Sequence, residues 1–329
     1  MRSPFPSSSS APGEGKLVVA LAPQKVSALS AMTFQYPLKL ISPSPTSYQK
    51  SVLVFLLTYG GGLVGGDQVN LSITVGDASK LSMVTQGHTK IFKSPTRDVI
   101  TRQTLDVTIQ NGASLCLLPD PVQPFKESVY QQTQIFKIAD EGSLCLLDWV
   151  SAGRTARGED WDFWSWRGRN EVWAIRPAGE KPRLLLRDNV ILDSSTSEIQ
   201  EMKIKDKMQR MDIFGTLVLR GPNVDSTAAF FLAEFAALPR IGARDFRSQD
   251  MKDMDSTVVL GHLEEWRNAR LAQELADGIL WSAAKVRGCT VIKFGARTVE
   301  GARLWVGAML KEEGSILKCF GEDALMCVR

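Results

Sequence analysis

The stretch SVLVFLLTYGGGLVGGDQVNLSITVGDASKLSMVTQGHTKIFKS, residues 51–94, decides the fold. Gly60, Gly62 and Gly65 in it match the G-x-G-x-x-G spacing of a dinucleotide-binding turn, directly after an apolar strand. That motif needs a helix behind the glycines, whose N-terminus holds the pyrophosphate. Here Val69, Leu71, Ile73 and Val75 alternate at period two, so a strand follows instead. The ribose-binding acid is also missing, because residues 81–86, roughly twenty positions on, contain no Asp or Glu. A phosphate-binding P-loop fails as well, since Asp67 follows Gly66 where a lysine belongs.

What remains is a strand, a glycine-rich turn and a second strand. Glycines at this density permit positive φ or close backbone approach, and Asp67 at the exit can bond its own turn or serve a site. The pattern recurs. VNLSITVGDASKLSMVTQ (69–86), TLDVTIQNGASLCLLPDP (104–121) and QIFKIADEGSLCLLDWV (134–150) each read as an alternating strand, a Gly/Ser corner and a second apolar strand, about thirty residues apart. Each unit has an apolar face that it cannot bury alone, so neighbours must stack. The expected fold is mostly β, a stacked-strand, β-helix-like body with a few helices, mainly in the C-terminal third.

Four blocks carry a resemblance to a known family. LLTYGGGLVGGD with TQGHTKIFKS, then LPDPVQPF (118–125), GRTARGEDW (153–161) and GTLVLRGP (215–222) occur in the order found in the UreD (UreH) urease accessory proteins, which this chain resembles most from about Ala20 to Gly221. The resemblance implies a β-helix-like scaffold, in agreement with the repeats. It implies a protein that joins UreF and the GTPase UreG on apo-urease while nickel is inserted into the urease active site. Residues carried by the matched blocks are Gly61, Gly62, Gly65, Gly66, Gln86, Thr89, Lys90, Arg154 and Arg157, as a structural or partner-binding motif. Arg154, Arg157, Glu159 and Asp160 read as a solvated loop or as a charged network at a contact surface.

Composition bounds the rest. A chain of 329 residues supports a large core, and 44% hydrophobic with 23% charged residues suits a soluble globular protein. A net charge of +3 names no acidic polymer as partner, so nucleic acid is not implied. VLVFLLTY is too short to span a bilayer, which takes roughly twenty residues. Residues 1–16, rich in Ser and Pro, read as a disordered tail ahead of a single domain over 17–329, whose portion from about 226 carries helices and short strands. With neither a transit peptide nor a secretory h-region, a cytoplasmic location is expected. Ser226–Leu238, His262–Leu275 and Thr298–Lys311 read as helices, Arg240–Asp255 as a mobile loop, and SILKCF and ALMCV as closing strands. Trp164 and Trp166 read as one face of a core strand.

Catalytic chemistry finds little support. Two histidines, His88 and His262, and five cysteines without a C-x-x-C pair make a tight nitrogen- or sulfur-ligated metal site unexpected. No catalytic residue is assigned, no tightly bound cofactor is expected, and the chain reads as a non-enzyme. A transient nickel path would instead use carboxylates, which release divalent ions readily. Asp67, Asp148 and Glu159 are the acids within matched blocks that suit it. Two other readings compete: a hydrolase working through paired carboxylates, and a carbohydrate- or nucleic-acid-binding β-protein using the Trp/Arg segment at 154–173.

Overall fold

The computed structural model describes residues 11–46, 49–177, 179–194, 203–238 and 261–329. The chain opens with β1 (Glu14–Leu21), β2 (Ser27–Phe34), β3 (Leu38–Ile41), β4 (Val52–Thr58) and the short β5 (Gly62–Leu63). The repeats then wind as coils. The first is β6 (Gln68–Val75), β7 (Lys80–Val84) and β8 (Thr89–Ile91), and the second β9 (Thr101–Ile109), β10 (Ser114–Leu117) and β11 (Val122–Pro124). β12 (Val129–Ile138) and β13 (Ser143–Ser151) form the third, and β14 (Ser165–Ala174) begins another rung. Equivalent strands pair in parallel, Val75 with Ile109 and Ile109 with Ile138, and Leu81 with Leu115 and Leu115 with Leu144.

Each coil turns on the same device. The N–H of the fourth residue donates to the carbonyl of the first in Gly76–Ser79, Gln110–Ala113 and Ala139–Gly142, at 3.0, 3.1 and 2.9 Å. Such corners suit small and polar residues, which is why the Gly/Ser corners recur.

Antiparallel strands extend both sheets. β15 (Arg183–Asp193) closes a seven-stranded sheet ordered β15-β14-β12-β9-β6-β1-β2. After the single turn α1 (Ile204–Lys207), β16 (Ile213–Arg220) pairs with β13. Helices α2 (Asp225–Ala236) and α3 (His262–Asp277) precede the hairpin β17 (Leu280–Val286) and β18 (Cys289–Ala296). The second sheet runs β17-β18-β16-β13-β10-β7-β4-β3. α4 (Val299–Glu313), α5 (Ser315–Phe320) and a 3-10 turn, Glu322–Val328, end the chain.

These elements make three layers around two cores. Val69, Leu71, Ile73 and Val75 pack between the sheets with Leu81, Leu115, Leu117, Leu144 and Leu146. On the other face of the second sheet, Cys116, Cys145, Leu147 and Trp149 pack against Phe231, Trp305, Val306 and Met309 of the helices. Covered on both faces, SLCL and SLCLLDWVS are buried at every position, as parallel strands in a layered fold require. Each fully buried Leu contributes about 1.5–3 kcal/mol. The cysteines serve here as small apolar side chains, and burial with a neighbouring Cys145 pushes the Cys116 thiol well above its usual range.

Four expectations need correction or placement. Residues 1–10 and the loop expected over Arg240–Asp255 lie outside the described residues. β1 starts at Glu14, inside the expected tail, because Gly13 and Gly15 allow close approach: a Cβ on Gly13 would lie 1.8 Å from the Gln68 carbonyl oxygen. SILKCF and ALMCV are helical rather than extended; Ile316 and Phe320, one helical turn apart, bury on one face, as do Leu325 and Val328. Trp164 precedes β14, with the Arg97 guanidinium 5.2 Å over its ring, and only Trp166 lies in the strand.

Candidate functional site

The third side of each coil is short, and it gathers the glycine and TQGHTK blocks with LPDPVQPF and GRTARGEDW. Gly62 pairs with Lys90 and Leu63 with Ile91; Gln123 pairs with Lys90, and Val122 with both Thr89 and Val150. Gln123 Nε2 then donates to the Gly153 carbonyl at 3.2 Å. GTLVLRGP stands apart as β16, where Gly215 makes room for the Phe294 ring.

The glycines divide by role. A Cβ on Gly62 would sit 2.7 Å from the Lys90 carbonyl oxygen, and one on Gly65 would crowd Pro95 at 2.8 Å, so both permit stacking. Gly61 and Gly66 have φ of 72° and 94°, the left-handed region that glycine enters at little cost. Gly60 and Gly61 face open space. Asp67 accepts from the Val64 N–H at 2.8 Å and so closes its own turn.

Beside this stack lies a cleft of about 820 Å³. Gln86, His88 and Lys90 of the TQGHTK loop form its polar wall, and Asp120 its floor. Asp120 is 6% exposed. One carboxylate oxygen accepts from Thr85 Oγ1 at 3.0 Å and the Gly87 N–H at 2.9 Å; the other accepts from Arg303 Nη2 at 3.1 Å. Burial, with Arg303 and Lys90, holds the His88 imidazole below its usual range against the opposing pull of Asp120 and Gln123. Cys327, also lining the cleft, is pushed up to about 12 by burial and by Asp120, so it presents a thiol, not a thiolate. Thr89 is half-buried, and Gln86 and Lys90 are exposed.

Thr85 and Asp120 also line a small internal cavity of about 30 Å³, together with Gln103, Gln132, Gln134 and Asp148. Asp148 is 8% exposed. Gln132 Nε2 donates to its Oδ1 at 2.8 Å and Asn170 Nδ2 to its Oδ2 at 2.6 Å. Burial raises its carboxyl above the usual range, and the two amide hydrogen bonds only partly offset this. Thr216, paired with Asp148 across β16, bonds in turn to Lys293, whose Nζ lies 2.6 Å from Asp188.

The charged loop closes on itself. Arg154 donates from Nε and from its backbone N–H to Glu159, both at 3.0 Å, and from Nη2 as well, while its guanidinium lies 3.9 Å over the Phe125 ring. Burial alone would raise the Glu159 carboxyl, yet the Arg154 bonds outweigh it and lower the pKa. Arg157 is exposed. Glu159 is therefore a buried brace rather than a surface charge, and of the three acids selected from the sequence only Asp148 lines the internal cavity. Among the described residues no three His, Cys, Asp or Glu side chains form a metal-holding group. Arg303 is a residue that the sequence reading missed. It acts 183 positions from Asp120, and no spacing rule reaches that far.

A family model described as the UreD urease accessory protein matches residues 11–317. The chain belongs to the UreD family. The match takes in α2, α3 and α4 and ends within α5, well beyond the four blocks. Among UreD relatives, the "uncharacterized urease accessory protein ureD-like" of Schizosaccharomyces pombe is 34% identical over 89% of this chain and 92% of its own length. "Urease accessory protein UreD" of Sorangium cellulosum is 36% identical over 67% of this chain and 65% of that one. "Urease accessory protein D" of Arabidopsis thaliana is 32% identical over 63% and 67% respectively.

Proposed function

We propose that this UreD-family protein is a non-catalytic scaffold of urease maturation, which binds apo-urease together with UreF and UreG and lets nickel pass to the urease active site. Membership of an accessory family supports the role in maturation. The observation that carries the finer reading is that cleft and internal cavity share Thr85 and Asp120, with Asp148 at the inner wall. The groups along this line are carboxylates, amides and hydroxyls. Such ligands hold divalent ions weakly enough to release them. Asp120 thus takes the place on the nickel path that sequence reasoning gave to Asp67 and Glu159, whose carboxylates serve their own loops.

The Trp/Arg segment supports the binding-module alternative poorly, because Trp161 and Trp166 are buried, the half-buried Trp164 already carries the Arg97 guanidinium over its ring, and Trp173 is half-buried and bonded to Glu171. No helix among the described residues is long and apolar enough to cross a membrane.

The test is co-expression of the wild type and of Asp148→Asn with UreF, UreG and apo-urease from one source. The expected outcome is that both chains co-purify with the complex, while urease matured with the variant contains less nickel by metal analysis. Normal nickel loading would make Asp148 purely structural. Failure of the wild type to co-purify would sink the scaffold reading itself.

A further inference from the structure

The helical layer over the second sheet stops short of its edge. α2, α4 and α5 cover β16, β13 and β10, and the terminal 3-10 turn covers Leu53 and Val84 through Cys327. Beyond that turn the outward side chains of β4 and β3 are only partly covered among the described residues, Phe55 by the edge of the Leu53, Val84 and Cys327 cluster. Phe55 and Leu57 are half-buried, Ile41 is 40% exposed, and Met326 on the turn itself is 39% exposed. All four line the apolar wall of the cleft. Tyr59, 42% exposed, continues the surface upward.

Lysines flank this strip. Lys90 is exposed on the opposite wall, and Lys39, beside Leu57 on the same strand face as Ile41, reaches over the Tyr59 ring at 5.4 Å. Neither forms an ion pair among the described residues. The one acid lining the cleft, Asp120, is already neutralised by Arg303. A macromolecular occupant therefore meets an apolar strip flanked by lysines, while the acid at the base of the cleft is engaged by Arg303.

We propose that this face docks an amphipathic helix of a partner protein, with its aliphatic stripe on Ile41, Phe55, Leu57 and Met326 and its acidic flank toward Lys39 and Lys90. A helix is the occupant because it continues the layer that α4, α5 and the 3-10 turn begin, and apolar residues at i, i+3, i+4 and i+7 match such a strip. The acidic flank follows from the two lysines, which form no ion pair among the described residues. The assignment rests on the reading of the cleft as the receiving face of a maturation scaffold, since a partner seated there lies over Thr85 and Asp120. Its chemistry is testable without urease.

The probes are two labelled helical peptides of about 18 residues, five turns, with the same leucine stripe and either glutamate or lysine elsewhere. Binding to the full chain is read by fluorescence anisotropy. The Glu/Leu peptide is expected to bind at least tenfold tighter than the Lys/Leu peptide. Lys90→Glu should reverse that preference, and Ile41→Asp should weaken the Glu/Leu peptide at least tenfold with the melting temperature preserved. Equal affinity for the two peptides, no binding, or indifference to both substitutions would overturn the proposal. Residues 1–10 precede Gly13, whose N–H bonds to Tyr36 beside Tyr59, so a chain lacking them is tested too. A tenfold gain in affinity on that deletion would make the chain's own start the occupant and would likewise overturn it. Peptide binding that persists while co-purification with urease fails would leave this surface standing and remove only the maturation reading.

Discussion

Asp148 and Glu159 are both buried acids, yet their environments push them in opposite directions. Asp148 accepts two bonds from neutral amides, too little to offset desolvation, so its folded-state pKa lies above the unfolded value. A raised carboxyl contributes stability below the unfolded pKa and loses it as pH rises through the folded one. The stability of the wild type relative to Asp148→Asn should accordingly fall as pH rises from about 4, in urea titrations run at a series of pH values; parallel profiles would show that the carboxyl is not shifted. Glu159 is the reverse case, because Arg154 supplies charged donors. Its contribution is present above the unfolded pKa and lost as pH falls through the folded one. Glu159→Ala should cost about 1.5–3 kcal/mol at neutral pH, and the gap to wild type should close on acidification. A cost under about half a kcal/mol would place the side chain at the surface in solution.

At the scale of elements, alternation and corners made the coils readable in advance. VNLSITV and TLDVTI bury every second residue, as period two demands, and the corners that separate them recur because the same turn bond closes each one. Short apolar runs without alternation were not readable, since SILKCF satisfies a strand and a helix equally until its neighbours are known. The same holds for ALMCV, whose packing involves Gly307 on α4, where a Cβ would lie 1.8 Å from the Val328 carbonyl oxygen. The terminal turn thus packs directly on the helix backbone, a contact that sequence spacing does not announce. The site was legible to the same extent. Matched blocks marked one side of the stack, whereas Arg303 and Cys327 reach the cleft from the far end of the chain. Gly307→Ala should displace the terminal turn, with an overpacking cost of about 1–3 kcal/mol. Limited proteolysis should then cut the last residues first; an unchanged digestion pattern and melting temperature would mean that the turn has room to shift.

Across the whole molecule, the two sheets differ in how their edges are protected. β2 and β15 bound the first sheet, and Arg187 of β15 pairs with Glu171 on β14, so charge guards that side. The second sheet ends on β3, at the proposed docking face, and on β17 at the opposite side. Along β17, Leu280 is 62% and Val286 41% exposed, Ala284 lies between them, and Lys285 is the strand's single charge. Apolar edge strands with little charge pair with other chains. The isolated protein should therefore self-associate at micromolar concentrations, and Leu280→Lys with Val286→Lys should shift it toward monomer. Both side chains already meet solvent, so the melting temperature should hold within the small range of surface substitutions. Size-exclusion chromatography with light scattering measures the outcome. An unchanged oligomer distribution in the double variant would move the cause of self-association from β17 to the partly covered face of β3 and β4, where Ile41→Asp would then be the substitution that disperses it.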